Sequence, residues 1–206
     1  MELFDGKGGL VRGEILQATS REVVIHVLTR STAPDTSPPL TLLQAMLKGR
    51  KMDLLIQKAT ELGVHTFAPL TTRYCEKRSH AKQQMDRWQR IMLEACKQCR
   101  RPIPMQIQEP LPLEQLQPAD SCNLIMPWED EDSRPLSPAL LGDHQPTLLL
   151  IGPEGGFHPA EVSLARDLGF NTVSFGPRIL RAETAALAAV TIVQYLNHNL
   201  EPDNKN

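Results

Sequence analysis

Long apolar runs are missing from this sequence. No stretch approaches the roughly 20 consecutive apolar residues that a membrane-spanning helix requires. The opening residues, Met1-Glu2-Leu3-Phe4-Asp5-Gly6, lack a basic leader followed by an apolar segment. No secretory signal is therefore expected, and the chain reads as cytoplasmic. Cysteine is sparse: four residues, at 75, 96, 99 and 122, are too few and too irregular for a disulfide framework in 206 residues. Cys96 and Cys99 form a C-x-x-C, but zinc would need a second pair at a matching spacing, and none exists. The pair also falls late in a helical pattern, not at a helix start after a strand, so ordinary reduced thiols and no metal are expected. Net charge is small, at −2, so the molecule as a whole carries no signature of nucleic-acid binding. Neither the P-loop order of glycines and lysine nor the G-x-G-x-x-G dinucleotide fingerprint occurs.

What is present is a globular composition, 41% hydrophobic and 22% charged, in a length that suits one domain plus a small appendage. Residues 1–30 read as short strands, with β-branched Val23–Leu28 and turns at Gly6, Gly8, Gly9 and Gly13. Thirty such residues do not make a stable sheet alone, so they belong to something larger or pack on the main domain. Ser31–Pro39, with three prolines, reads as a linker.

From Leu40 the grammar changes to alternating strands and helices. Leu40–Leu47, His65–Leu70, Asn123–Trp128, Thr147–Ile151 and Thr172–Phe175 are candidate strands. Met52, Leu55, Ile56, Ala59 and Leu62 recur at helical spacing and stop at Gly63. Met85, Trp88, Met92, Ala95 and Cys99 stripe a long helix over Gln83–Cys99, and Pro159–Leu168 opens another. This alternation predicts an α/β fold with a parallel sheet covered by helices on both faces. Ligands of such sheets bind beyond the carboxyl ends of the strands. Residues 102–146, with nine of the 17 prolines, give no clear pattern beyond one strand.

Charge is unevenly placed. Arg73–Arg101 holds nine Lys/Arg against three acids, a local basic surface suited to phosphate contacts. A solvated helix face explains it equally well.

Two segments carry candidate chemistry. Thr147–Ile151 runs into Gly152-Pro153-Glu154-Gly155-Gly156-Phe157, where glycines permit close backbone approach to a ligand. The bland reading is a tight turn. Thr172–Phe175 runs into Gly176-Pro177-Arg178-Ile179-Leu180-Arg181-Ala182-Glu183-Thr184, with two arginines, a carboxylate and a hydroxyl around one strand end, followed by an alanine-rich helix to about Asn199. Here the bland reading is a capped helix with surface arginines.

Those two segments, together with Lys48-Gly49-Arg50-Lys51-Met52 through Gln57–Gly63, resemble in order and spacing the bacterial 16S ribosomal RNA (uracil-N3) methyltransferase family of the SPOUT superfamily. The similarity covers nearly all of 1–198. It implies a C-terminal trefoil knot, S-adenosyl-L-methionine as cofactor, 16S ribosomal RNA of the small subunit as substrate, and a homodimer with cofactor pockets near the interface. It also implies that residues 1–33 are the remnant of an N-terminal PUA-like β-barrel whose first half is missing, with a linker at 34–39, the methyltransferase domain at 40–200 and a polar tail at 201–206.

By the same resemblance, Ile151, Gly152, Glu154, Gly155, Gly156, Phe175, Gly176, Ile179, Leu180 and Thr184 would hold the cofactor. Arg181, with Arg178 next, would stabilise charge on the uracil oxygens, and Glu183 would orient an arginine or accept a proton. From the basic surface of Arg73–Arg101, and not from the resemblance, Arg73, Lys77, Arg78, Arg87, Arg100 and Arg101 would bind RNA. His158 and Ala182 depart from the residues expected at their positions. Another target nucleotide in ribosomal or transfer RNA, or a non-catalytic knotted RNA-binding protein, are the competing readings.

Overall fold

The computed structural model describes residues 1–33, 38–75, 81–142 and 144–201. Three antiparallel strands come first: β1 (Glu2–Phe4), β2 (Gly9–Ala18) and β3 (Val23–Thr32). The expectation of short strands is corrected here. β2 and β3 are ten residues each, and irregular registers at Arg12/Gly13 and Ile15/Gln17 absorb their twist. Ser31 and Thr32 belong to β3, so they are no part of a linker, and residues 34–37 of that linker lie outside the described residues. The small sheet meets the rest of the chain where Gly8 lies against Ile103 and Gly6 against Pro104. Ile15, Leu16, Val23, Val24 and Leu28 are exposed on it.

The main body follows the predicted alternation: β4 (Leu40–Ala45), α1 (Lys51–Glu61), β5 (Thr66–Thr71), α2 (Ala81–Cys99), β6 (Gln106–Ile107), β7 (Leu111–Pro112), β8 (Asn123–Pro127), β9 (Thr147–Ile151), α3 (Pro159–Asp167), β10 (Asn171–Val173) and α4 (Ala182–Leu196). Seven strands form one sheet in the order β10-β8-β9-β4-β5-β6, with β7 also on β5, and every pairing is parallel. The central strands have both faces covered, which is why β4 and β9 read as nearly continuous apolar runs.

Two cores result. On one face α1, α2 and α4 bury Leu42, Ile56, Trp88, Ile125, Leu149 and Val190. On the other, α3 and its neighbours bury Leu43, Leu70, Met126, Leu150, Val162 and Phe170. In α2 the buried stripe is Trp88, Met92, Ala95 and Cys96; Cys99, predicted on that stripe, is only half-buried. The thiol of Cys96 donates to Met92 Sδ and burial pushes its pKa up, which suits an inert reduced cysteine. Because all sheet strands point the same way, β8, β9 and β10 end together, at Pro127, Ile151 and Val173. The loops that follow those three ends share one rim of the sheet.

Candidate active site

That rim encloses a cavity of about 700 Å³, within the range of small-molecule sites. Three loops wall it: Pro127–Asp132 after β8, Ile151–Phe157 after β9 and Ser174–Ala182 after β10, with Lys51 from the start of α1. Of the residues singled out by sequence, Ile151, Gly152, Glu154, Gly156, Phe175, Gly176, Arg178, Ile179, Leu180 and Arg181 all line it.

Three others are placed differently. Gly155 sits against Tyr74, where a Cβ would lie 3.2 Å from the tyrosine Cβ, and is not among the lining residues. Thr184 is exposed on the first turn of α4 and does not line the cavity. Glu183 pairs with no arginine among the described residues; its Oε2 is buried 3.2 Å from Lys51 Nζ, a charge contact without an aligned hydrogen bond.

The second loop is tightly set. Gly156 has φ +70°, and a Cβ there would collide with the Glu129 carboxylate. Glu154 Oε1 accepts from the Lys48 backbone N–H at 3.1 Å and pairs with Lys51 Nζ at 3.1 Å. Burial pushes the Glu154 carboxyl up, but these donors outweigh it and hold the pKa below the usual carboxylate range. His158, a departure from the residue expected at that position, caps α3. Its Nδ1 accepts from Ala160 N–H at 3.2 Å, and Glu161 accepts from the His158 N–H at 2.8 Å, a reciprocal capping box.

The third loop is loosely tied. From Phe175 to Leu180 the backbone makes one hydrogen bond among the described residues, Gly176 N–H to Ser174 Oγ at 3.3 Å. Gly176 has φ +90° and open space where a side chain would be. Arg178 and Arg181 line the cavity, and their guanidiniums have no protein partner among the described residues. Arg181 is the N-cap of α4 through its backbone alone, accepting from Ala185 N–H at 2.8 Å.

The first loop went unassigned in the sequence, although the rule that ligands sit beyond parallel strand ends would have pointed to it once β8 was placed. Trp128, Glu129, Glu131 and Asp132 line the cavity from there. Glu131 fixes the loop: its oxygens accept from Ser133 Oγ and N–H, Arg134 N–H and Thr172 Oγ1, at 2.7 to 3.2 Å. These donors lower its pKa to about 2. Arg166 lies over Trp128 at 5.0 Å and donates to Thr172 Oγ1 at 3.2 Å, bracing the same loop. Glu129 and Asp132 have no partner among the described residues.

Of the basic candidates, Arg73 stands beside this rim, with Nη1 3.0 Å from His158 Nε2. Arg87 is held by Asp53 at 2.6 and 3.0 Å, which raises its pKa. Arg100 is exposed, 4.0 Å from Glu2. Arg101 turns inward and donates to Ile103 O at 2.8 Å and Thr60 O at 3.1 Å, so its guanidinium ties the chain together. Lys77 and Arg78 lie outside the described residues. No cluster of side chains able to hold a metal ion occurs among the described residues.

The profile of the RNA methyltransferase domain matches residues 35–194. This chain belongs to the RNA methyltransferase family. Within the family, it is 36% identical over 185 residues to ribosomal RNA small subunit methyltransferase E of Aquifex aeolicus, covering 89% of this chain and 78% of that protein. It is 32% identical to the protein of that name from Buchnera aphidicola, covering 94% of this chain and 80% of the relative. The crystal structure of ribosomal RNA small subunit methyltransferase E from Neisseria gonorrhoeae, bound to S-adenosyl methionine, matches with a TM-score of 0.85 at 28% identity, covering 95% of this chain and 82% of that one. A putative methyltransferase from Legionella pneumophila in complex with S-adenosyl methionine matches at 0.77 and 31% identity, covering 94% and 81%. No helix among the described residues of this RNA methyltransferase is long and apolar enough to cross a membrane.

Proposed function

We propose that this chain transfers a methyl group from S-adenosyl-L-methionine to N3 of a uridine in 16S ribosomal RNA of the small subunit. The observation that carries the reading is the cavity itself: its glycine-bearing walls occur in a chain like ribosomal RNA small subunit methyltransferases E, one of them solved with S-adenosyl methionine.

The residues fit that cofactor. The volume is ample, Gly176 leaves open space, and backbone groups of Phe175–Leu180 are free to bond a purine and ribose. Ile151, Gly152, Gly156 and Phe157 form the opposite wall. When bound, S-adenosyl-L-methionine supplies an electrophilic methyl carbon on a sulfonium. What the chain must add is an aligned, deprotonated N3. Arg181 and Arg178 hold unpaired positive charge at the cavity wall and stabilise negative charge on the uracil oxygens as N3 loses its proton. Glu183, tied to Lys51, serves as a structural anchor. The carboxylate free to take the proton is Glu129. Arg73 at the rim meets RNA phosphates, joined by Lys77, Arg78 and exposed Arg100.

The finer architecture belongs to the same proposal. We read 40–200 as a SPOUT domain with a trefoil knot. In support, the Ser174 N–H donates to Arg134 O beside the Pro135–Ser174 bridge, and α4 then returns to pack on β4, β9 and α1. Residues 1–33 are part of a PUA-like barrel, 34–39 a linker and 201–206 a tail. The chain acts as a cytoplasmic homodimer.

Calorimetric titration of the purified chain with S-adenosyl-L-methionine tests the cofactor assignment, and the Arg181→Ala variant tests the mechanism. The variant is expected to bind the cofactor like the wild type while transfer falls by about two to three orders of magnitude. Undiminished transfer would remove Arg181 from the reaction.

A further inference from the structure

The turn from β4 into α1 carries three cations in four residues, Lys48, Arg50 and Lys51, at a helix N-terminus. Local electrostatics oppose this, because the helix dipole favours negative charge there. Nor does the turn cap the helix: Arg50, at the N-cap, makes no side-chain cap hydrogen bond. A residue that contradicts its local preference calls for a tertiary reason.

Lys51 has one. Its ammonium lies 3.1 Å from Glu154 Oε1 and 3.2 Å from Glu183 Oε2. Glu154 stands in the middle of the loop after β9; Glu183 stands in the first turn of α4, immediately after the loop that follows β10. The two carboxylates are therefore no farther apart than the sum of those distances, and they are bridged by one cation. The carboxylates of Glu154 first, then Glu183, raise the pKa of Lys51, so it stays charged throughout the neutral range. The Lys48 N–H, from the same turn, holds Glu154 a second time.

We infer that Lys51 is a positioning residue that clamps the Gly152–Gly156 wall of the cavity to the start of α4, fixing the spacing between the two glycine-bearing walls. The inference rests on the cofactor reading only for its effect on binding; the clamp itself is a property of the free chain. Without Lys51 the two carboxylates face each other unpaired, and like charges at that range push the walls apart.

Hydrogen–deuterium exchange on the cofactor-free chain tests this directly. Lys51→Met is expected to speed exchange about tenfold in both segments, 152–157 and 182–186, while β2 and β3 stay unchanged. Lys51→Arg restores most of the protection. The triple variant Lys51→Met, Glu154→Gln, Glu183→Gln is expected to exchange more slowly than Lys51→Met alone, because the repulsion is gone; simple loss of packing would not give that order. By calorimetry, Lys51→Met weakens S-adenosyl-L-methionine by about tenfold. Unchanged exchange in either segment, or a triple variant no better protected than the single one, overturns the clamp. If the exchange pattern appears but the wild-type chain binds no S-adenosyl-L-methionine, the clamp stands and the cofactor assignment falls. If Lys51→Met fails to fold, the test rests on Lys51→Arg and on Glu154→Gln with Glu183→Gln: both segments protected in the first and loosened in the second support the clamp, and the reverse overturns it.

Discussion

At the scale of single residues, two glycines separate backbone strain from steric conflict. Gly176 has φ +90° with nothing near its missing Cβ, so alanine there costs only the left-handed strain, about 1 kcal/mol. Gly156 has φ +70° and the Glu129 carboxylate in the way, so alanine costs that strain and displaces a cavity-lining side chain as well. Urea denaturation should rank Gly156→Ala below Gly176→Ala, and titration with S-adenosyl-L-methionine should show the larger affinity loss for Gly156→Ala. An equal effect would mean that Glu129 yields freely. Glu131 supplies a pH test. Its folded pKa is lowered to about 2 from 4.5, so the stability it contributes is present above about 4.5 and is lost as pH falls toward 2. Glu131→Gln should flatten the acid limb of a stability–pH curve in that window. A limb of unchanged steepness would show that other carboxylates govern acid unfolding. Some of this was legible in sequence: the glycines after β9 and β10 mark backbone close to a ligand. The partners of Glu154 and Glu183 were not, because Lys51 lies more than a hundred positions away and no local pattern encodes the pairing.

At the scale of elements, buried polar ties replace missing caps. α1 ends near Leu62 and Gly63. The side-chain amide of Gln194, buried on α4, donates to Leu62 O at 2.7 Å and accepts from Asn199 Nδ2 at 2.8 Å. Gln194→Ala leaves that carbonyl unsatisfied and should lower stability by about 1–3 kcal/mol in chemical denaturation. A change near zero would mean that water takes over the bond. The element pattern was the most legible part of the sequence. Thr147–Ile151 has the predicted bounds, and α1, α3, β5 and β8 differ by a residue or so. β6 and β7 were invisible, since two-residue strands carry no periodicity and their pairing is made by β5. Ten-residue β2 reads as shorter because Gly13 interrupts its alternation, and β3 because its last four residues, Thr29–Thr32, are polar.

At the scale of the molecule, exposed apolar side chains occur on the loop after β10 and on α4. Ile179 is 85% exposed on the loop that walls the cavity, and Ile192 and Tyr195 are exposed on α4. A homodimer would cover such side chains. Ile192→Glu with Tyr195→Glu should convert a dimer to a monomer in light scattering; a monomeric wild type, or a variant that stays dimeric, would exclude this face. The parallel sheet, whose strand ends converge on one rim, was legible from the alternation of elements. The path of the chain after β10 was not, since order and spacing carry no information on threading. The most direct measurement of the central claim is transfer of a labelled methyl group from S-adenosyl-L-methionine to small ribosomal subunits, with mass-spectrometric mapping of the modified nucleotide. One 16S uridine methylated at N3 is expected, with transfer by Arg181→Ala lower by about two to three orders of magnitude. Label at another nucleotide, or no transfer by a chain that binds the cofactor, would contradict it.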